Sequence, residues 1–106
     1  MPPIRVTVNW LDGDTHASVS LNPIPVPQAN GATVIQWTCG VNVASFAITG
    51  LDGSQFNPVA SNGQGSSFTT NDANSNAVPT PYTYTVTATH TSGKTGSHDP
   101  EIENGS

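Results

Sequence analysis

Three histidines, one cysteine and seven carboxylates are nearly all the chemistry this 106-residue chain carries. His90 closes the run "PYTYTVTATH", in which Tyr82, Tyr84, Val86, Ala88 and His90 fall on one side and Thr83, Thr85, Thr87 and Thr89 on the other. Two readings stand. His90 is a ligand at a strand end, or it is the polar residue where an apolar face runs out. The shared parity favours the second, with the ring on the core rim and its nitrogens toward water. His98 lies eight residues on, across "SGKTG". His90 with His98, or with His16, is the candidate pair for a weak metal site, since neutral imidazole suits borderline divalent ions. Cys39 shares parity with Ile35 and Trp37 and reads as a small core residue. A single cysteine excludes an internal disulfide and any zinc site built on paired cysteines.

"DANSNAV" places Asp72, Asn74 and Asn76 at the alternating spacing of the first half of a calcium loop. Ala77 stands where such a loop turns on glycine, and Thr83 where it has a bidentate glutamate, so the segment reads as a polar turn. Asp12, Asp14 and Asp52 sit in Asp-Gly and Asx turn positions, where local backbone hydrogen bonding accounts for them. No pair of carboxylates is spaced for acid–base work and no elbow exposes a nucleophile, so no catalytic residue is assigned and the chain is not read as an enzyme. "NGQGSS" neither follows a strand nor opens a helix, so it does not read as a phosphate cradle. Trp10 and Trp37 are the residue type that stacks on sugars, the third functional reading, but both lie on periodic apolar faces that assign them to a core.

The net charge is −5, with Arg5 and Lys94 as the only strong cations. Such a chain lacks the cations to neutralise phosphates, and an anionic membrane repels it, so nucleic-acid partners and membrane insertion are not expected. Thr, Ser, Asn, Gly and Gln must carry solubility, a composition resembling exported bacterial β-domains. "MPPIRVTVNW" lacks the pattern of a signal peptide. The default location is cytoplasmic; leaderless export or a leader already lost are the alternatives. The length fits one domain, 1–106.

These residues must be positioned by strands, because every strong periodicity is two. Ile4, Val6, Val8 and Trp10 alternate with Arg5, Thr7 and Asn9. "HASVSL" follows an Asp-Gly turn. "NPIPVPQANG" reads as a proline-broken edge strand. "ATVIQWTC" and "VASFAIT" supply two more, the second aligning Ala44, Phe46 and Ile48. Residues 57–81 read as a long polar loop with one short strand near "SSFTT". "DPEIEN" closes the pattern, with a disordered tail expected near 103–106, where "NGS" at Asn104 reads as tail. The expectation is all-β: an antiparallel Greek-key β-sandwich of about seven strands, cupredoxin-like or immunoglobulin-like, with Trp10, Trp37, Phe46 and Tyr84 in or beside the core.

Three stretches, "ATVIQWTCG", "NVASFAI" and "YTYTVTATHTSGKTG", resemble in order the cupredoxin-like family of plastocyanin-type blue-copper proteins. A blue-copper centre takes two imidazoles, one thiolate and a weak axial ligand. Carried over, Val86 holds the thiolate's place, no histidine stands near Asn42 to Ser45, and no methionine stands near Lys94 or Thr95; His90 alone falls near a ligand position. The resemblance therefore implies a copper-free member with no cofactor. The functional expectation is a non-catalytic module for protein binding or self-association, acting through a sheet edge or through the outer face Thr83, Thr85, Thr87 and Thr89. The alternative is a metal-binding or electron-transfer protein with an altered site around His90.

Overall fold

A computed structural model describes residues 3–106. The described chain is all-β, apart from one 3-10 turn at Gln28–Asn30. Its strands are β1 (Ile4–Asn9), β2 (Ser18–Val19), β3 (Ile24–Val26), β4 (Thr33–Cys39), β5 (Val43–Thr49), β6 (Phe56–Asn57), β7 (Ser67–Asp72), β8 (Thr80–Thr83), β9 (Thr85–His90), β10 (Thr95–His98) and β11 (Glu101–Asn104). They form three sheets in the orders β2-β1-β4-β7-β6, β10-β9-β5 and β3-β11-β8. A hydrogen bond from Tyr84 N–H to the Pro100 carbonyl joins the two smaller sheets at the β8–β9 junction. The arrangement is consistent with a β-sandwich in which the five-stranded sheet faces the two smaller ones.

Alternation builds the core. Val6, Val8, Ile35, Trp37 and Phe68 point inward from the large sheet, Phe46, Ile48, Val86 and Ala88 from the second, and Ile24, Val26 and Ile102 from the third. Each fully buried side chain of this size contributes roughly 1.5–3 kcal/mol. The four aromatics expected at the core are all buried there. Trp37 and Tyr84 bridge the layers: their rings meet edge-on at 5.4 Å, and the indole N–H donates to the phenol oxygen at 3.1 Å.

Four expectations need correction. The sheets are not antiparallel throughout, because β1 pairs parallel with β4 and β3 parallel with β11. After β2 the chain leaves the large sheet through the proline segment that forms β3, and it re-enters along β1 in the same direction. Residues 57–81 hold more than the one short strand expected near "SSFTT": that strand is β7, which runs on to Asp72, and β6 and β8 overlap the two ends of the stretch. The expected tail at 103–106 is instead the end of β11 and its turn, with Asn104 and Gly105 buried and Gly105 N–H bonded to Val26 O. Ala44 does not join Phe46 and Ile48; the register shifts between Val43 and Ser45, and this bulge leaves Ala44 exposed.

Candidate functional site

The histidines lie along one lateral seam, where the loop from Leu11 to Ala17 lies against the β9–β10 hairpin. Gly96 faces inward beside Ala88, and the backbone of Thr15 and His16 lies directly on it: a β-carbon there would stand 2.8 Å from Thr15 O and 3.1 Å from His16 Cα. Glycine is what lets the loop approach. Two residues on, His98 faces the same way, opposite Val86, and stacks on His16 with ring centroids 5.0 Å apart and planes 10° apart. The His16 Nδ1–H donates to Ala17 O at 2.8 Å, which leaves Nε2 as the acceptor of the neutral ring. Burial first, then repulsion by His16, holds the His98 pKa below the ordinary histidine value, and Asp99 pulls the other way.

His90 stands apart from this pair. It lies four residues from Val86 along β9, roughly 13 Å of strand. Its Nδ1 accepts the Ser92 N–H at 3.0 Å, closing the turn into β10, and its ring meets Trp10 edge-on at 5.3 Å. A cleft of about 410 Å³ opens there, with Leu11, Asp14, His90 and Lys94 around it. The structure thus brings His98 to His16 and gives His90 a turn-closing and packing role. The in-plane lone pairs of stacked rings lie in two nearly parallel planes, so the two imidazoles do not converge on one point. Among the described residues no group of three or more His, Cys, Asp or Glu side chains is placed to hold a metal ion. Cys39 ends β4 half-buried, and burial pushes its thiol pKa up, away from the nucleophilic form. Both tryptophans are buried, so neither offers a ring face as a sugar platform.

The threonines lie on the outer face of the central strand β9 and the neighbouring β8. Thr85 donates to Asp99 Oδ1 (2.8 Å), Thr87 meets the Ser97 hydroxyl (3.1 Å), and Gln64 lies across the face, accepting from Ser45 and donating to Thr87 O. Thr83 is exposed. These hydroxyls tie the face together; Asp99 beside Thr85 and Glu101 opposite Thr83 put two carboxylates at one end, and the part around Thr87 and Thr89 carries hydroxyls and amides.

The sheet edges differ sharply. β2 and β6 are two residues long, β3 carries Pro25, and β8 carries Pro81. The outer edge of β5 is occupied: Phe46 and Gly65 exchange N–H···O bonds at 2.9 Å, and Ser61 N–H bonds to Ile48 O. β10 has neither proline nor cover. The His90 N–H to Lys94 O bond makes 90/94, 88/96 and 86/98 the hydrogen-bonded pairs of its ladder. Thr95 and Ser97 therefore carry their N–H and C=O groups outward, unpaired among the described residues.

A polar cluster that sequence reasoning took for a simple turn closes the opposite region. Asp72 ends the inward row Phe68, Thr70, Asp72 of β7. Its Oδ1 accepts the Asn74 N–H (2.9 Å) and the Asn104 Nδ2–H (2.8 Å). Asn74, at φ 49°, donates to the carbonyls of Pro27 and Gly31, and Asn76 donates to the Tyr82 phenol. Burial raises the Asp72 carboxyl above the ordinary carboxylate range, against the lowering effect of these N–H donors. The spacing of Asp72, Asn74 and Asn76 was the available signal; the partner Asn104, 32 residues away, was not visible in it.

No protein-family model matches this chain, and no curated protein does.

Proposed function

We propose that this chain is a non-catalytic binding module, a copper-free, cupredoxin-like Greek-key sandwich, that recruits a protein partner or a second copy of itself by strand addition at β10. The observation that carries the reading is the contrast between edges: every other sheet edge is short, proline-bearing or covered, whereas Thr95 and Ser97 present a free ladder. Natural sheets blunt edges that are not used, because a bare row of N–H and C=O groups is a template for another strand. The outer face Thr83, Thr85, Thr87 and Thr89 adjoins this edge and adds methyl and hydroxyl surface with little charge to desolvate.

Ser97→Pro tests the edge. It removes one outward N–H and leaves the bonds to β9 intact, because position 97 is not a hydrogen-bonded pair in that ladder. Sedimentation should show association by the parent chain, or affinity capture a partner, and the Ser97→Pro variant should lose either while keeping its far-ultraviolet spectrum. Thr85→Lys with Thr87→Lys tests the adjoining face in the same assay. A monomeric parent whose captured proteins are unchanged by both variants overturns the proposal.

A further inference from the structure

The Asp72–Asn104 pair has one donor too few. Asp72 is 1% exposed and Asn104 is fully buried. Their one mutual bond joins Asn104 Nδ2 to Asp72 Oδ1. The other oxygen of each group, Asp72 Oδ2 and Asn104 Oδ1, is buried with no partner among the described residues. Turning the amide over does not help, because Nδ2 donates to both Asp72 Oδ1 and Asn76 Oδ1 (3.2 Å), and reversal would set an oxygen against both. The remaining oxygens of the cluster are engaged: Asp72 Oδ1 by two donors, and Asn74 Oδ1 by Gly105 N–H at 3.0 Å. Two free oxygens fall far short of the six to eight that a calcium ion takes. A buried carboxylate with an orphaned oxygen is strongly disfavoured, and neutralisation is the usual relief.

We propose that Asp72 is held as a neutral carboxylic acid whose Oδ2–H donates to Asn104 Oδ1, so that the acid and the amide are joined by two hydrogen bonds. One proton satisfies both orphaned oxygens. The pair fastens the end of β7, in the five-stranded sheet, to the end of β11, in the middle of the third, and Asn74 extends the tie to the 3-10 turn. The surroundings supply no competing cation among the described residues. Thr33 of β4 and Phe56 of β6 flank Asp72 in its sheet. Tyr82 of β8 brings a phenol that serves Asn76, and Gln28 of the 3-10 turn bonds to the Asn76 and Ala77 carbonyls. On β11, Glu101 and Glu103 alternate away from the buried Ile102 and Asn104, and Ser106 beyond them is exposed.

The device makes folding take up a proton. An acid whose folded-state pKa is raised contributes stability that is full below its unfolded value, about 3.9. That contribution declines as pH rises through the folded pKa and is level above it. Each unit of the raise corresponds to about a tenfold change in the folding equilibrium constant between the two limits.

Urea unfolding of the parent, Asp72→Asn and Asp72→Ala, from acid to mildly alkaline pH, tests this. An asparagine at 72 supplies an Nδ2–H where the acid supplies its Oδ2–H, and it keeps both bonds at every pH. Asp72→Asn should equal the parent in acid, exceed it by about a thousandfold in folding constant at pH 7, about three units above the unfolded carboxyl value, and lack this component of its pH slope. Asp72→Ala should be weaker than both throughout. Carboxyl-resolved carbon NMR of the parent should show Asp72 still protonated when the exposed carboxylates have ionised. An ionised Asp72 signal at neutral pH overturns the proposal, whether or not Asp72→Asn folds. So does an Asp72→Asn variant weaker than the parent, or a parent stabilised by added calcium while Asp72→Asn is not.

Discussion

Tyr84→Phe removes one oxygen and leaves the rest of the ring in place. Its consequence follows from the seal around that oxygen. Tyr84 is 1% exposed and Trp37 fully buried, and the phenol oxygen is the acceptor given to the indole N–H, at 3.1 Å. The phenylalanine ring keeps the edge-on contact with Trp37, so little dispersion energy is lost. The indole N–H keeps neither its partner nor access to water. A buried donor left unsatisfied costs about 1–3 kcal/mol, which for a domain of this size is a fall of roughly 5–15 °C in Tm. Urea unfolding followed by tryptophan fluorescence measures it directly. A double-mutant cycle with Trp37→Phe isolates the bond: removing donor and acceptor together should cost about 1 kcal/mol or more less than the sum of the single changes. The same burial pushes the Tyr84 phenol far above the ordinary tyrosine range, so its ionisation should appear only as the protein unfolds in alkali. A Tyr84→Phe variant within about 0.5 kcal/mol of the parent, with no coupling in the cycle, would refute the view that this bond is sealed from solvent.

Gly96→Ala should destabilise by about 1–3 kcal/mol, because the new methyl meets backbone at Thr15 and His16 rather than a flexible side-chain tip; limited proteolysis should then cut first between Leu11 and His16. The His98 ring should titrate by NMR below the free-imidazole value, and His16→Gln should raise it by removing a like charge. A base with a depressed folded pKa contributes stability that is full above its unfolded value, about 6.5, and that is lost as pH falls through the folded value; unfolding of His98→Gln should lack that acid-side loss.

What could be read from the residues was the alternation. Val6, Trp37, Phe46, Tyr84 and Val86 sit inside because strict period-two runs leave one face apolar. The strand near "SSFTT" is legible at Phe68, but its extension to Asp72 is not, because the inward face there reads Thr70 and Asp72: the strand hides two polar residues, and each is satisfied by a partner distant in sequence, Pro58 O for Thr70 and Asn104 for Asp72. Pairing of that kind leaves no local trace. β11 reads partly as a loose end for the same reason, since the burial of Asn104 and Gly105 depends on Asp72, Asn74 and Val26. The bulge at Ala44 and the parallel pairings arise from how strands meet, which periodicity within one strand does not encode. Among the candidate residues, sequence spacing pairs His90 with His98 or with His16; the fold, by laying the Leu11–Ala17 loop over Gly96, brings His16 to His98 instead, a pair that spacing does not propose.

β11 is the last of the described strands in chain order, yet it is the middle strand of its sheet. A ribosome has therefore made β3 well before anything exists to join it, and β8 shortly before, so Ile24 and Val26 emerge with their eventual neighbour still untranslated. At synthesis rates of about 5–20 residues per second, the interval from Val26 to Asn104 is on the order of 4–16 s. Over that time the early prolines keep β3 from recruiting another chain. The nascent polypeptide cannot complete this sheet stepwise from its beginning. Neither β3 nor β8 has its partner in this sheet until Glu101–Asn104 has been made.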